Sequence, residues 1–251
     1  MTFADCVGPG PTSLHGLAWL ARVGASPPEP LALVMGCSER VARDHVRRLG
    51  AAGLVARVAM RRGDGSLIVL TRPGAVEAGY PPGRALRSLA PTTWAHSSAC
   101  AWASAWLELR GHTWWSEHEI AQDPFWRREV RYQDRRGSVG VTHRPDLGVR
   151  VAGRPAAIEV ELQRKVRARL VGILRMYAQA SAGEDPGLGG VLYVTNRLDV
   201  ADAVRRAAAD GGLHAPALSF RTLQEVIAQA RHAAALQRSM VAGREPITDA
   251  R

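Results

Sequence analysis

Residues 38–71 constrain this chain most: one amphipathic helix is followed at once by two short β runs around a glycine turn. Ser38 is a good N-cap for a helix over 39–49. Val41, Ala42, Val46 and Leu49 form its inward stripe. Arg40, Arg43 and Arg47 recur at i, i+3 and i+7 on the outward side, with Arg48 beside them. The runs 55–60 and 67–71 read as strands, and Gly63 and Gly65 between them supply the positive φ a hairpin turn needs. Upstream, Leu14, Leu17, Trp19, Leu20 and Val23 predict a helix within 14–24. Prolines 27, 28 and 30 break it, and a second short helix over 31–35 ends at Gly36.

Helix, helix, helix, hairpin is the winged helix-turn-helix plan, and 38–74 resembles bacterial winged-helix regulators. The resemblance rests on the Ser before the third helix, Gly53-Leu54-Val55 after it, and Leu-Thr-x-x-Gly over 70–74. It implies that Arg40, Arg43, Arg47 and Arg48 lie in a DNA major groove. Arg57, Arg61 and Arg62 would sit on the wing beside the flanking backbone. Charge agrees: the chain carries a net +10, and between 39 and 62 seven arginines meet only two acids. Such a balance favours a polyanion partner, here double-stranded DNA. The bland alternative is a solvated helix face in an arginine-rich chain; 32 of the 33 basic residues are arginine, and Lys165 is the one lysine.

Pro81, Pro82 and Gly83 read as a linker over 81–91, separating a domain 1–80 from a second at 92–236, with a flexible tail at 237–251. The second domain predicts a long helix over 92–110, a strand over 112–120 and a polar loop or loose hairpin over 121–140. Strands over 145–151 and 156–162 follow, then a helix over 164–182 and an apolar strand over 190–195. A helix at 200–209, a strand at 217–220 and a helix over 222–236 complete it. The expected class is mixed α/β.

Two motifs carry chemistry. HRPDLGV (143–149) puts Asp146 at the head of a strand, and AAIEVELQRK (156–165) puts Glu159 and Glu161 on one face of the next. Carboxylates converging on one point repel unless a cation sits between them, and a hard divalent ion such as Mg²⁺ (or Mn²⁺) is the natural occupant. Such an ion lowers the pKa of a bound water and polarises a phosphoryl oxygen. The alternative is an exposed acidic strand edge paired with neighbouring arginines.

The order helix, three strands, helix, strand resembles the PD-(D/E)XK nuclease core. That resemblance implies Asp146 and Glu159 as metal ligands and Glu161 as a third ligand or water-orienting group. The motif usually holds Lys where this chain has Glu161, although some restriction enzymes of this fold carry Glu there. In a second frame Glu161 is the ligand, Gln163 takes the Lys slot, and Lys165 reaches in to stabilise charge on the phosphate. The two modules together, with His96, Arg144-Pro145-Asp146, Glu159-Val160-Glu161-Leu162, Lys165 and Tyr177, resemble the replication-relaxation family of actinobacterial plasmids and mobile elements. This implies a DNA-binding protein of a plasmid or mobile element with a role in replication or its control. The expectation that the second domain binds Mg²⁺ and cuts rests on the acids and the nuclease-core resemblance, not on the family. The rival is a non-catalytic regulator whose second domain is a degenerate scaffold for dimerisation.

Several classes drop out. Cys6, Cys37 and Cys100 form no CxxC pair, no zinc spacing is present, and no GxxxxGK[ST] loop indicates a nucleotide cofactor. With no membrane-length apolar run, a cytoplasmic protein is expected. A homodimer on inverted half-sites would suit this plan, though no heptad marks one. His96 is either a core histidine or a neighbour of the acids. Glu117 is either a further acid or a surface residue. The tryptophans 114, 115 and 126 read better as core than as base-stacking platforms, and the basic run 164–175 is either a phosphate contact or a solvated face.

Overall fold

The computed structural model describes residues 9–59, 65–85, 90–135, 137–183 and 187–242. The protein is mixed α/β and divides into two compact units. One comprises residues 1–101 with 230–251, the other 102–229. Among the described residues no helix is long and apolar enough to cross a membrane.

The first unit opens with α1 (Pro11–Val23), β1 (Ala25–Ser26), α2 (Pro28–Val34) and α3 (Glu39–Ala51). It continues with β2 (Val55–Ala59), β3 (Ser66–Leu70) and α4 (Arg72–Glu77). Prolines start α1 and α2, where a missing N–H costs nothing. Ser38 caps α3 by accepting from the Val41 amide at 3.3 Å. Strand order is β1-β3-β2, antiparallel throughout, and Leu67, Ile68 and Leu70 of the central strand are fully buried. Helix α3 buries Ala42, Val46 and Leu49 as expected, but Val41 is 43% exposed and belongs to the outer face. Gly74 lets α4 turn back against the chain: a Cβ there would stand 1.8 Å from the Leu54 carbonyl oxygen.

The division falls elsewhere than at the proline-rich stretch. Pro82–Arg84 forms a short 3₁₀ turn, and the boundary lies inside α5 (Trp94–Leu109). The first unit also takes in a distant piece of chain. Residues 230–242 belong to the last helix, and Arg231 there makes a forked ion pair with Glu29 of α2, at 2.7 and 3.0 Å. That helix runs to Ala242, so 237–242 is helical and not tail.

In the second unit α5 leads to β4 (Trp114–Trp115), α6 (Glu117–Gln122), β5 (Arg128–Asp134), β6 (Gly137–His143), β7 (Leu147–Val151) and β8 (Arg154–Val160). Then come α7 (Arg167–Ala182), β9 (Val191–Thr195), α8 (Leu198–Gly211), β10 (Leu218–Thr222) and α9 (Leu223–Ala242). The main sheet has the order β10-β9-β8-β7-β4, with β4, β7 and β8 antiparallel and β8, β9 and β10 parallel. Strand β8 is central, and residues 157–160 are buried on both faces. Tyr177, Ile173 and Leu174 of α7 join Ala157 and Tyr193 in the core below it.

Residues 112–120 are not one strand. Pairing ends after Trp115, and Ser116 starts α6 through a capping box in which its hydroxyl and Glu119 exchange bonds with each other's amides. The expected loose hairpin is the regular pair β5–β6, seated on α7 at Gly172, where a Cβ would meet the Arg131 carbonyl oxygen at 3.0 Å. Trp114 and Trp126 are core residues, and Trp115 packs beside Trp126.

Candidate functional site

Strands β7 and β8 bring the acids together. Leu147 pairs with Ile158, so Asp146, one residue before β7, falls beside the end of β8. Its Oδ2 accepts the Val160 amide at 2.7 Å. This bond fixes a half-buried carboxylate beside Glu159.

Glu159 is 2% exposed and lies beside Tyr193 in the β8–β9 register. Its Oε1 is 2.7 Å from His143 Nε2 and accepts the Tyr177 hydroxyl at 2.5 Å. His143 and Tyr177 also lie 3.3 Å apart through Nε2 and the hydroxyl, with their rings edge to face. Burial pushes the Glu159 carboxyl up. The His143 ring, the Lys165 ammonium and the Tyr177 hydroxyl outweigh it, and the net shift is downward. Burial and the Glu159 charge drive the Tyr177 phenol well above its ordinary value, so it remains a proton donor. Tyr193 is raised likewise by burial, Glu159 and Asp146. Both carboxylates therefore act on the same two phenols.

Glu161 follows the strand, is 7% exposed, and forms an ion pair with the half-buried Lys165. The lone lysine thus meets the acid two residues beyond Glu159. Gln163 is exposed. Asp146, Glu159, Glu161 and Lys165 share one end of β7 and β8. His96 belongs to the first unit, with Nε2 3.4 Å from Cys100 Sγ. Glu117 is an exposed first-turn residue of α6.

His143 is the residue the sequence reading passed over. It stands three positions before Asp146 in HRPDLGV, and its adjacency to that motif was the available signal. Tyr177 entered through the family pattern.

The acids offer hard oxygen donors suited to Mg²⁺ or Mn²⁺. In this conformation each already holds a donor from the protein: the Val160 amide, His143 with Tyr177, and Lys165. Among the described residues no group of three or more His, Cys, Asp or Glu is arranged to hold a metal ion. A cation at this end of β8 would have Lys165 to displace from Glu161.

In the first unit Arg40, Arg43, Arg47 and Arg48 are exposed along α3, and Arg57 is exposed on β2. Arg43 pairs with Glu39 at 2.9 Å and Arg47 with Asp44 at 3.2 Å. Both pairs are solvent-exposed, so they hold the arginines weakly. Arg61 and Arg62 lie outside the described residues.

No family model matches the chain, and no curated protein matches it. Among solved structures, protein VC1899 from Vibrio cholerae is similar at 13% identity with a TM-score of 0.33, over 91% of this chain and 57% of that one. The chain thus spans a little over half of that protein's length.

Proposed function

We propose that the protein is a winged-helix DNA-binding protein of a plasmid or mobile element whose second unit is a PD-(D/E)XK-type module for metal-dependent phosphodiester hydrolysis. The observation that carries the reading is the gathering of Asp146, Glu159, Glu161 and Lys165 at one end of an antiparallel strand pair. Along α3, an arginine row over a buried Ala42–Val46–Leu49 stripe supports duplex binding.

Asp146, Glu159 and Glu161 would hold the ion, which would supply an activated water and a polarised phosphoryl oxygen. The chain's own residues prepare the place. The Val160 amide fixes Asp146, while His143 and Tyr177 fix the rotation of Glu159 by sharing one of its oxygens. Lys165 would offer its ammonium to phosphate charge if a cation took its place at Glu161.

The test is incubation with plasmid DNA in Mg²⁺, Mn²⁺ or EDTA, comparing wild type with D146A and E159A. Metal-dependent nicking or cutting that both variants lose supports the reading. D146A cutting as well as wild type overturns the assignment.

A second reading rests on the donors that already satisfy every acid. If the cluster is a structural network, the protein is a non-catalytic regulator of transcription or replication. Salt-sensitive binding without cleavage in either metal would establish that.

A further inference from the structure

We propose that the groove between α7 and the β5–β6 hairpin is a second DNA contact, which holds a sugar-phosphate backbone independently of α3. This deepens the DNA-binding reading and does not depend on catalysis.

The groove encloses about 540 Å³ and is lined by Arg131, Tyr132 and Gln133 of β5, Arg167 and Arg175 of α7, and Asp210 of α8. Its three arginines come from two separate elements, with Asp210 in the lining and Glu129 beside Arg131 as acidic partners. Gly172 sets the spacing: its missing side chain lets the β5 backbone at Arg131 lie on α7 with Val130 and Tyr132 against the helix, and Arg131 and Arg175 are among the residues that line the depression. Arg131 and Arg167 are 80% and 75% exposed at the side chain, and their partners Glu129 and Asp210 are surface acids at 3.4 and 2.6 Å. Exposed pairs of this kind contribute little and yield to a competing phosphate.

The chemistry selects the occupant. Guanidinium forks match phosphate oxygens at two points. Half-buried Tyr132 adds an aromatic surface on which a sugar or base can rest. Spaced arginines with an interleaved aromatic suit a repeating phosphodiester better than a single small anion. The groove also begins where the acid cluster ends, since Arg167 follows Lys165 by two residues. A strand lying there would be held by groups other than those that meet an ion.

The test uses the full chain in EDTA, so that no metal contributes. Binding of a labelled 30-base-pair duplex, the matching single strand and the matching RNA is measured across a salt series for wild type, R131E/R175E, R131Q/R175Q and R43A/R47A. The groove variants should lose about tenfold in DNA affinity, and the slope of log K against log salt should fall by about 2, as for two lost phosphate contacts. R43A/R47A should retain the groove-dependent part, so the groove substitutions added to it should weaken binding again. The Gln pair carries the test if charge reversal perturbs folding, which far-UV circular dichroism reports. Unchanged affinity and slope in both groove variants, or a loss confined to RNA, overturns the proposal. Loss of binding in R43A/R47A alone would uphold the α3 reading and reject the groove. Absent cleavage in the Mg²⁺ and Mn²⁺ plasmid assay, with the groove effect intact here, would reject only the nuclease reading.

Discussion

The hydroxyl of Tyr177, on α7, donates to the same Glu159 oxygen that His143 meets from the end of β6. A buried carboxylate so held is stable only while its donors remain. Removing one leaves a desolvated charge, which costs more than the bond itself contributed. Tyr177→Phe keeps the ring and deletes the donor. It should destabilise the fold by about 1.5–3 kcal/mol, the range for hydrogen bonds to charged groups. Urea unfolding followed by tryptophan fluorescence measures it, and an unchanged midpoint would show that the bond carries no stability.

Acid should act through Glu159. Its carboxyl is held below the ordinary value of 4.5, so the folded state favours the ionised form. The stability it adds is fully present above pH 4.5 and is lost as pH falls through the lowered folded value. Wild type should therefore lose stability on acidification below that point, and Glu159→Gln should lose less. Urea midpoints from pH 7 to pH 3 give both slopes; parallel slopes would contradict the assignment.

On the proposed reading, Asp146→Ala should abolish metal-dependent cleavage, a drop of at least about 10²-fold, while duplex affinity stays within about twofold, since the acid would hold the ion and not the duplex. Supercoiled plasmid relaxation alongside a filter-binding assay separates the two. Glu161→Ala should free Lys165 and tighten metal-free DNA binding slightly.

Arg43→Ala with Arg47→Ala should weaken duplex binding roughly tenfold at 0.15 M salt and flatten its salt dependence by about two contacts. Val41→Ala at the same exposed face should leave the slope unchanged, since it removes no charge.

Gly74→Ala should be among the most damaging single substitutions. The new Cβ meets a backbone oxygen, which no rotamer change relieves. A loss of about 3 kcal/mol is expected from such overpacking, read as a lowered thermal midpoint.

How much of this was legible in the sequence follows from where the signal is local. Ser38 as cap, the Ala42–Val46–Leu49 stripe and the paired β runs were readable because helix and hairpin formation depend on neighbours. Val41 was misplaced because an apolar side chain on α3 sits beside the stripe without entering it. The stretch 112–120 was misread because Trp114-Trp115 has strand character, while Ser116-x-x-Glu119 stops it with a capping box. The acids were legible as a motif. Their partners were not: His143, Tyr177 and Tyr193 reach Glu159 from three different elements, and sequence spacing does not record that convergence.

The forked pair between Glu29 and Arg231 has a consequence for synthesis. The arginine-bearing half is assembled from two stretches far apart in sequence, with 102–229 inserted between them. During translation its early helices must wait for α9 to leave the ribosome before their last neighbour is present. A chain stopped near residue 229 would lack that neighbour altogether, so the ion pair between α2 and α9 can form only after all of 102–229 has been made.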